Sequence, residues 1–287
     1  MNTSFADIEK KENRKDLIIS ICVFLSGFSC FAQLYYFQPL LPDLAKDFIL
    51  SASESSFAIS FSTLGMVFGL FTTMFVADRI PRKKMIGTGL LSSSIFSVAA
   101  SFSPTFLPLI LLSAAKGFLL SGATSVSMAY IAEEVSSRNK GKIMGLYIAG
   151  NALGGMAGRV ISSWIGALYT WRIASVSIGL ICALFAILFL LFSPRSTNFM
   201  PRKESFHTLI IANLQLITSK ALIPFYLTGG LILGVFVSLY NYLGFYLTKA
   251  PFNFPEHYIH YIYCIYSVFS GRLRQPDSPG TSLILRY

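Results

Sequence analysis

Apolar runs alternate with short polar, mostly basic stretches along nearly the whole chain. After a polar start containing Lys10, Lys11, Arg14 and Lys15, an apolar run extends from Leu17 to about Phe37. Further runs cover about 57–77, 85–102, 105–131, 143–167, 173–192 and 221–247. Roughly 20 apolar residues cross a bilayer as a helix, so these runs predict seven membrane spans. The stretch from Met85 to Ala115 carries no charge and is too long for one helix. Ser103-Pro104 is its natural break, predicting a tight hairpin between the third and fourth spans. The first run has a charged start like a signal peptide, but it is too long and lacks a convincing cleavage site, so it reads as an uncleaved helix.

A basic segment, Ser193–Lys220, separates the sixth run from the seventh and contains Pro194, Arg195, Pro201, Arg202 and Lys203. Its apolar centre, from Leu209 to Ile217, predicts a short interfacial helix. Tyr258–Phe269 is apolar but covers only about half a membrane thickness, making it a marginal eighth span. The following Gly271–Gly280 stretch cannot continue a span.

The basic residues sort by loop. The N-terminal tail, the loops after the second and fourth spans, and the central segment together hold fifteen Lys and Arg, against three (Lys46, Arg172, Lys249) in the intervening loops. Basic loops stay on the cytoplasmic side, so the N-terminus and central segment are expected to be cytoplasmic.

Composition narrows the class. Charged residues are only 13% and hydrophobic ones 54%, about half the charge of a soluble domain, which argues against a soluble enzyme. The net charge of +10 raises nucleic acid as a partner, but charges clustered between apolar runs serve membrane orientation instead, so no nucleic-acid partner is expected. Cys22, Cys30, Cys182 and Cys264 all lie in apolar runs without metal-ligand spacing. His257 and His260 beside Glu256 have helix-compatible spacing, yet sit at a membrane edge where the pattern fails, so no metal or cofactor is expected. No Ser/His/Asp set, phosphate-binding loop or catalytic carboxylate pair is apparent, and enzyme activity is unsupported.

Three motifs carry more specific chemistry. The loop after the second span reads Asp78-Arg-Ile-Pro-Arg-Lys-Lys84. A carboxylate there can pair with nearby bases and helix dipoles, forming a latch. The fourth span holds Lys116 beside Gly117; a charge inside a span is costly and points to function, unless it snorkels to the interface. The fifth span carries Gly150, Gly154 and Gly158 at spacing four, followed by Arg159. Such a stripe lets a neighbouring helix approach closely, and the adjacent Arg159 is expected to face a polar interior.

These motifs resemble those of the major facilitator superfamily. Asp78–Lys84 resembles its loop signature between helices two and three, with Met74 and Pro81 at the glycine positions. Ser113–Gly117 resembles its Arg-x-x-Gln-Gly, with Ser113 and Lys116 replacing Arg and Gln, and Gly150–Arg159 resembles its antiporter signature of helix five. Tyr35–Pro42, Gly145–Asn151 and Leu239–Gly244 are similar to the bacterial drug-antiporter-like branch often labelled arabinose-efflux permeases.

The resemblance implies an all-α polytopic membrane protein with a six-helix N-terminal bundle, built of two inverted three-helix repeats, and an incomplete C-terminal bundle. Its expected parts are a cytoplasmic tail (1–16), the N-terminal half (17–192), a central linker (193–220), the first helix of the second half with its loop (221–257), and a marginal span with an aberrant tail (258–287). It implies a secondary transporter in a bacterial inner membrane, working by alternating access in a lipid bilayer on a small solute and protons.

All 13 Asp and Glu lie in tails, loops or span ends, which disfavours cationic drugs and favours a polar or anionic solute. Lys116, Arg159, Gln33, Gln38, Asn151, Asn241 and Tyr36 are the substrate-pathway candidates, with Tyr35, Tyr240 and Tyr242 offering hydroxyls and ring faces. Asp78, Arg79, Arg82 and Lys83 are expected to form the cytoplasmic gating loop, and Gly150, Gly154 and Gly158 a helix-packing stripe. Two other readings remain: a truncated or frameshifted, transport-inactive remnant missing its C-terminal half, and a seven-helix receptor, which the charge distribution opposes.

Overall fold

A computed structural model describes residues 2–201, 206–248 and 252–253, and the regular elements among them are all helical. They are α1 (Asn2–Tyr35), α2 (Leu41–Asp47), α3 (Ala52–Ser55), α4 (Phe57–Val76), α5 (Arg82–Ser101), α6 (Phe106–Glu134), α7 (Lys140–Leu168), α8 (Trp171–Phe192), α9 (Phe206–Ile217) and α10 (Ile223–Thr248). The marginal span at Tyr258–Phe269 and the group Glu256, His257 and His260 lie outside the described residues.

Local sequence explains the ends. α1 stops at Tyr35, followed by a turn and a 3-10 segment over Gln38–Leu40; Pro39 has no N–H to offer and its ring would meet the preceding turn of a continued helix. Pro42 then occupies the first turn of α2, where a missing N–H costs nothing. Ser51 and Glu54 form a reciprocal capping box that starts α3. Pro81 directly precedes α5, and Ser103-Pro104 falls between α5 and α6 as expected.

Among the described residues, five segments are both long and apolar enough to cross a membrane: Glu12–Asp47, Ala52–Arg79, Phe106–Glu134, Trp171–Phe192 and Ile223–Leu243. α5 and α7 have the length, but their serines and glycines lower the hydropathy. The fold turns those residues inward: Ser93, Ser94, Ser97 and Ser101 of α5 are buried, as are Gly150, Gly154, Gly158 and Ser162 of α7. The outside is apolar instead, with Leu64, Phe68 and Phe71 of α4 and Leu180, Leu184 and Leu191 of α8 exposed.

The packing has an internal symmetry. α1 lies along α7 and α4 along α6, while α5 touches α6 and α8, and α8 touches α1. Exchanging α1, α4 and α5 with α6, α7 and α8 maps these contacts onto one another. Glycine sets the spacing in both long pairs. A Cβ on Gly150, Gly154 or Gly158 would lie 2.5, 2.1 and 2.7 Å from backbone atoms of Phe24, Phe28 and Ala32 on α1. On the symmetric pair, a Cβ on Gly65 of α4 would lie 2.0 Å from Ala114 O of α6, and one on Gly117 of α6 would lie 1.8 Å from Ser62 O of α4. The backbones touch, so dispersion contacts replace side-chain bulk where no hydrophobic driving force separates helix from lipid.

Two apolar clusters fill the bundle, one around Ile19, Leu90, Leu120, Tyr130 and Phe189, the other around Tyr36, Leu40, Leu44, Ile59, Leu109 and Trp171. α10 meets the bundle through Phe236, Tyr240 and Leu243, which pack with Val160 of α7.

Candidate functional site

Arg159 sits one turn beyond Gly155 on α7 and is buried. Its Nη1 donates to Gly155 O at 2.8 Å and its Nε to Gln38 Oε1. Gln38 in turn donates from Nε2 to Asn241 Oδ1 of α10 at 2.9 Å. The guanidinium carbon lies 4.5 Å from the ring centroids of both Tyr35 and Tyr240, and 5.5 Å from that of Phe236. A planar cation with weak hydration suits such stacking. Arg159, Tyr35, Phe236 and Tyr240 line an open cleft of about 570 Å³ between α1, α7 and α10, whose wall also includes Phe31, Asn151, Met156 and Leu233. Its lining is aromatic and apolar, with Arg159 the charged residue and no acid among the lining residues. Such a wall suits a small, partly apolar solute.

Lys116 lies elsewhere. It is buried on α6, with its Nζ 4.6 Å from the Tyr36 ring centroid and 4.9 Å from that of Phe37. Nζ makes no hydrogen bond among the described residues. The Tyr36 hydroxyl and Ser175 Oγ are 2.9 Å apart, Ser175 donates to Ser97 O, and Ser97 Oγ donates to Gln33 Oε1 at 3.2 Å. The seven pathway candidates therefore fall into two groups. Arg159 and Asn151 line the cleft, with Gln38 and Asn241 joined to Arg159 by hydrogen bonds, whereas Lys116, Tyr36 and Gln33 share the interior of the bundle. Tyr35 and Tyr240 join the first group, and Tyr242 is exposed. The snorkelling alternative for Lys116 fails, because the side chain ends inside the bundle at 1% exposure.

The loop before α5 closes onto the far end of α6. Arg82 donates from Nη2 to Glu133 Oε1 and to Asp78 Oδ1, both at 3.0 Å, and from Nη1 to Ala77 O at 2.6 Å. Burial acts to lower the Arg82 pKa, but hydrogen bonds to Glu133 and Asp78 outweigh it and hold the charge. Lys83 donates to Ser193 O, and burial pulls its ammonium below the usual lysine range. Arg79 is exposed at this end. Sequence reasoning missed the acids that complete the arrangement. Glu134 accepts from Lys15, Thr197 and the Asn198 N–H, at 2.8, 2.8 and 2.7 Å, and Asp16 accepts from Ser136 and Asn139. The adjacent pair Glu133-Glu134, ending a span opposite two basic loops, was the available signal. At the other end of the bundle, Asp47 accepts from Trp171 Nε1 at 2.9 Å and from Arg172.

Comparison with known proteins follows the same lines. The profile of the Major Facilitator Superfamily matches residues 20–274. An uncharacterized transporter of Buchnera aphidicola subsp. Schizaphis graminum is 35% identical over 245 residues, 85% of this chain and 59% of that protein. The inner membrane transport protein YnfM of Escherichia coli K12 is 35% identical over 236 residues, 82% of this chain and 56% of that protein. A crystal structure of a bacterial homologue of the human lysosomal transporter Spinster, inward-facing and unoccupied, superposes with a TM-score of 0.73 at 14% identity, covering 90% of this chain and 60% of that one. The chain thus spans about three fifths of the length of the curated relatives it matches.

Proposed function

Because the chain belongs to the major facilitator superfamily, we propose that it works as a secondary transporter of a small polar or anionic solute in a bacterial inner membrane. It moves the solute by alternating access, outward and in exchange with protons, and its N-terminus is cytoplasmic. The solute binds in the cleft between α1, α7 and α10, and Arg159 takes its anionic group.

The observation that carries this reading is the Arg159 guanidinium, held between the Tyr35 and Tyr240 rings in a cleft wall lined by no acid. A fixed cation among low-dielectric walls favours an anion and repels cations. Gln38 and Asn241 orient the guanidinium, and Asn151 offers a further polar contact in the wall. The Asp78, Arg79, Arg82 and Lys83 loop acts as the gate, opening when Arg82 releases Glu133.

The test uses three molecules of one shape. Benzoate, benzamide and benzylamine differ in charge and fit an aromatic cleft. In proteoliposomes carrying an acid-outside pH gradient, benzoate flux should exceed the other two, and Arg159→Ala should lower it at least tenfold. Preference for benzylamine, or an unchanged benzoate flux in Arg159→Ala, would overturn the reading.

A further inference from the structure

Tyr35, Tyr36, Phe37 and Gln38 are consecutive, yet they touch two cations on two different helices. Tyr35 and Gln38 face Arg159 of α7, through a ring 4.5 Å from the guanidinium and a side-chain carbonyl accepting from Nε. Tyr36 and Phe37 face Lys116 of α6, with ring centroids 4.6 and 4.9 Å from Nζ. The segment is also where α1 breaks, between its last helical turn at Tyr35 and the 3-10 turn that begins at Gln38. The end of an element is where a few residues can absorb a change of dihedral angles without unwinding a helix.

The two cations differ in one chemical property. A guanidinium keeps its charge throughout the physiological range, whereas a buried lysine exchanges its proton readily. Lys116 is 1% exposed and lacks a hydrogen-bond acceptor among the described residues. The titratable groups that face it are Tyr36, in the turn after α1, and Cys182 of α8; α4 contributes none, those of α5 are confined to its first turn at Arg82, Lys83 and Lys84, and α7 carries Tyr147 and Arg159 beyond its basic start. Along the helices packed on α6, α4, α5, α7 and α8 carry no carboxylate, those of α1 are confined to residues 7–16, and those of α6 itself are Glu133 and Glu134. The groups that face its Nζ are the two ring faces, and ring faces attract an ammonium but not a neutral amine.

We propose that Tyr35–Gln38 couples a proton site at Lys116 to solute binding at Arg159, an inference that rests on the reading of Arg159 given above. With Lys116 protonated, Tyr36 and Phe37 are drawn to it, and the same turn presses Tyr35 and Gln38 against Arg159. That is the arrangement seen in the structure. When Lys116 gives its proton to water, leaving a neutral amine, the ring attraction disappears and the turn loosens. Gln38 then yields its place on the guanidinium to an anion. Proton uptake at one cation and anion release at the other become a single event, which is the relation an exchanger requires.

Fluorine resonances read both ends of the turn. 4-Fluorophenylalanine is placed at position 37 in one preparation and at position 35 in another, and each is titrated from pH 5 to 10 in detergent micelles. Both resonances should move with one shared midpoint. In Lys116→Arg, which keeps the cation and cannot lose it, both should stay flat, with an unchanged helical circular dichroism spectrum. The proposal is overturned if neither resonance titrates, if position 37 titrates without position 35, or if either still titrates in Lys116→Arg. Added benzoate should shift the position 35 resonance at high pH and not at low pH. Intact titration with no benzoate effect at any pH would overturn the anion reading of Arg159 and leave the coupling standing.

Discussion

Gly154 meets α1 so closely that a single added carbon would sit 2.1 Å from Phe28 O. The atom in the way is backbone, so the neighbouring helix itself must shift. Gly154→Val should therefore destabilise the protein by about 1–3 kcal/mol or more, the usual cost of overpacking, read as a lower unfolding temperature in detergent. Gly145, whose Cβ would meet nothing within 4 Å, supplies the control, and Gly145→Ala should leave that temperature unchanged. The α7 stripe was legible in the sequence because its spacing of four is a helical signature. The matching contacts of Gly65 and Gly117 with the α6 and α4 backbones were not, since each depends on which helix lies opposite. Lys116 and Arg159 show the same divide. Their cost inside an apolar span singled them out, but that the Tyr35–Gln38 segment meets both of them emerges only when the helices are packed together.

At the scale of elements, the two ends of the bundle are closed by ion pairs of different quality. Arg82 has only 9% of its side chain exposed and reaches Glu133, Asp78 and a backbone carbonyl. Arg172 and Asp47 are 40% and 42% exposed. Charge-assisted hydrogen bonds among partly buried groups contribute about 1.5–3 kcal/mol each, whereas an exposed pair contributes about 0–1 kcal/mol. Thermal unfolding should accordingly respond far more to Arg82→Gln than to Arg172→Gln. A double-mutant cycle of Arg82→Gln with Glu133→Gln should show a coupling of at least about 1 kcal/mol, and additive losses would remove Glu133 from the closure. The seven long helices were legible from the apolar runs along the chain, and Ser103-Pro104 marked one boundary. α2 and α3 were passed over because they are short, although Ser51-x-x-Glu54 is a capping box in plain sequence. Glu133 and Glu134 were passed over because acids at span ends look solvated until a basic loop folds beneath them.

For the whole molecule, the remaining question is which end of the bundle faces the cytoplasm. The structure brings the basic tail, the Arg82 loop and the start of the linker to one end, where Glu134 ties Lys15 of α1 to Thr197 and Asn198. These segments share one end of the bundle, so whichever compartment holds one of them holds them all. By sequence, the tail, the linker and the loops after the second and fourth spans hold fifteen basic residues, against three in the intervening loops. At about 1 kcal/mol per basic residue beside an anionic leaflet, that imbalance far exceeds anything the opposite loops can offer. Green fluorescent protein fused at residue 10 or inserted within 193–220 should fluoresce, and alkaline phosphatase at the same points should be inactive. An insertion beside Ile49, in the loop between α2 and α3 at the opposite end, should give the reverse pattern. Active phosphatase at residue 10 or in the linker would invert the topology. The Arg82 closure would then face the periplasm, and the cleft at Arg159 would approach the cytoplasm.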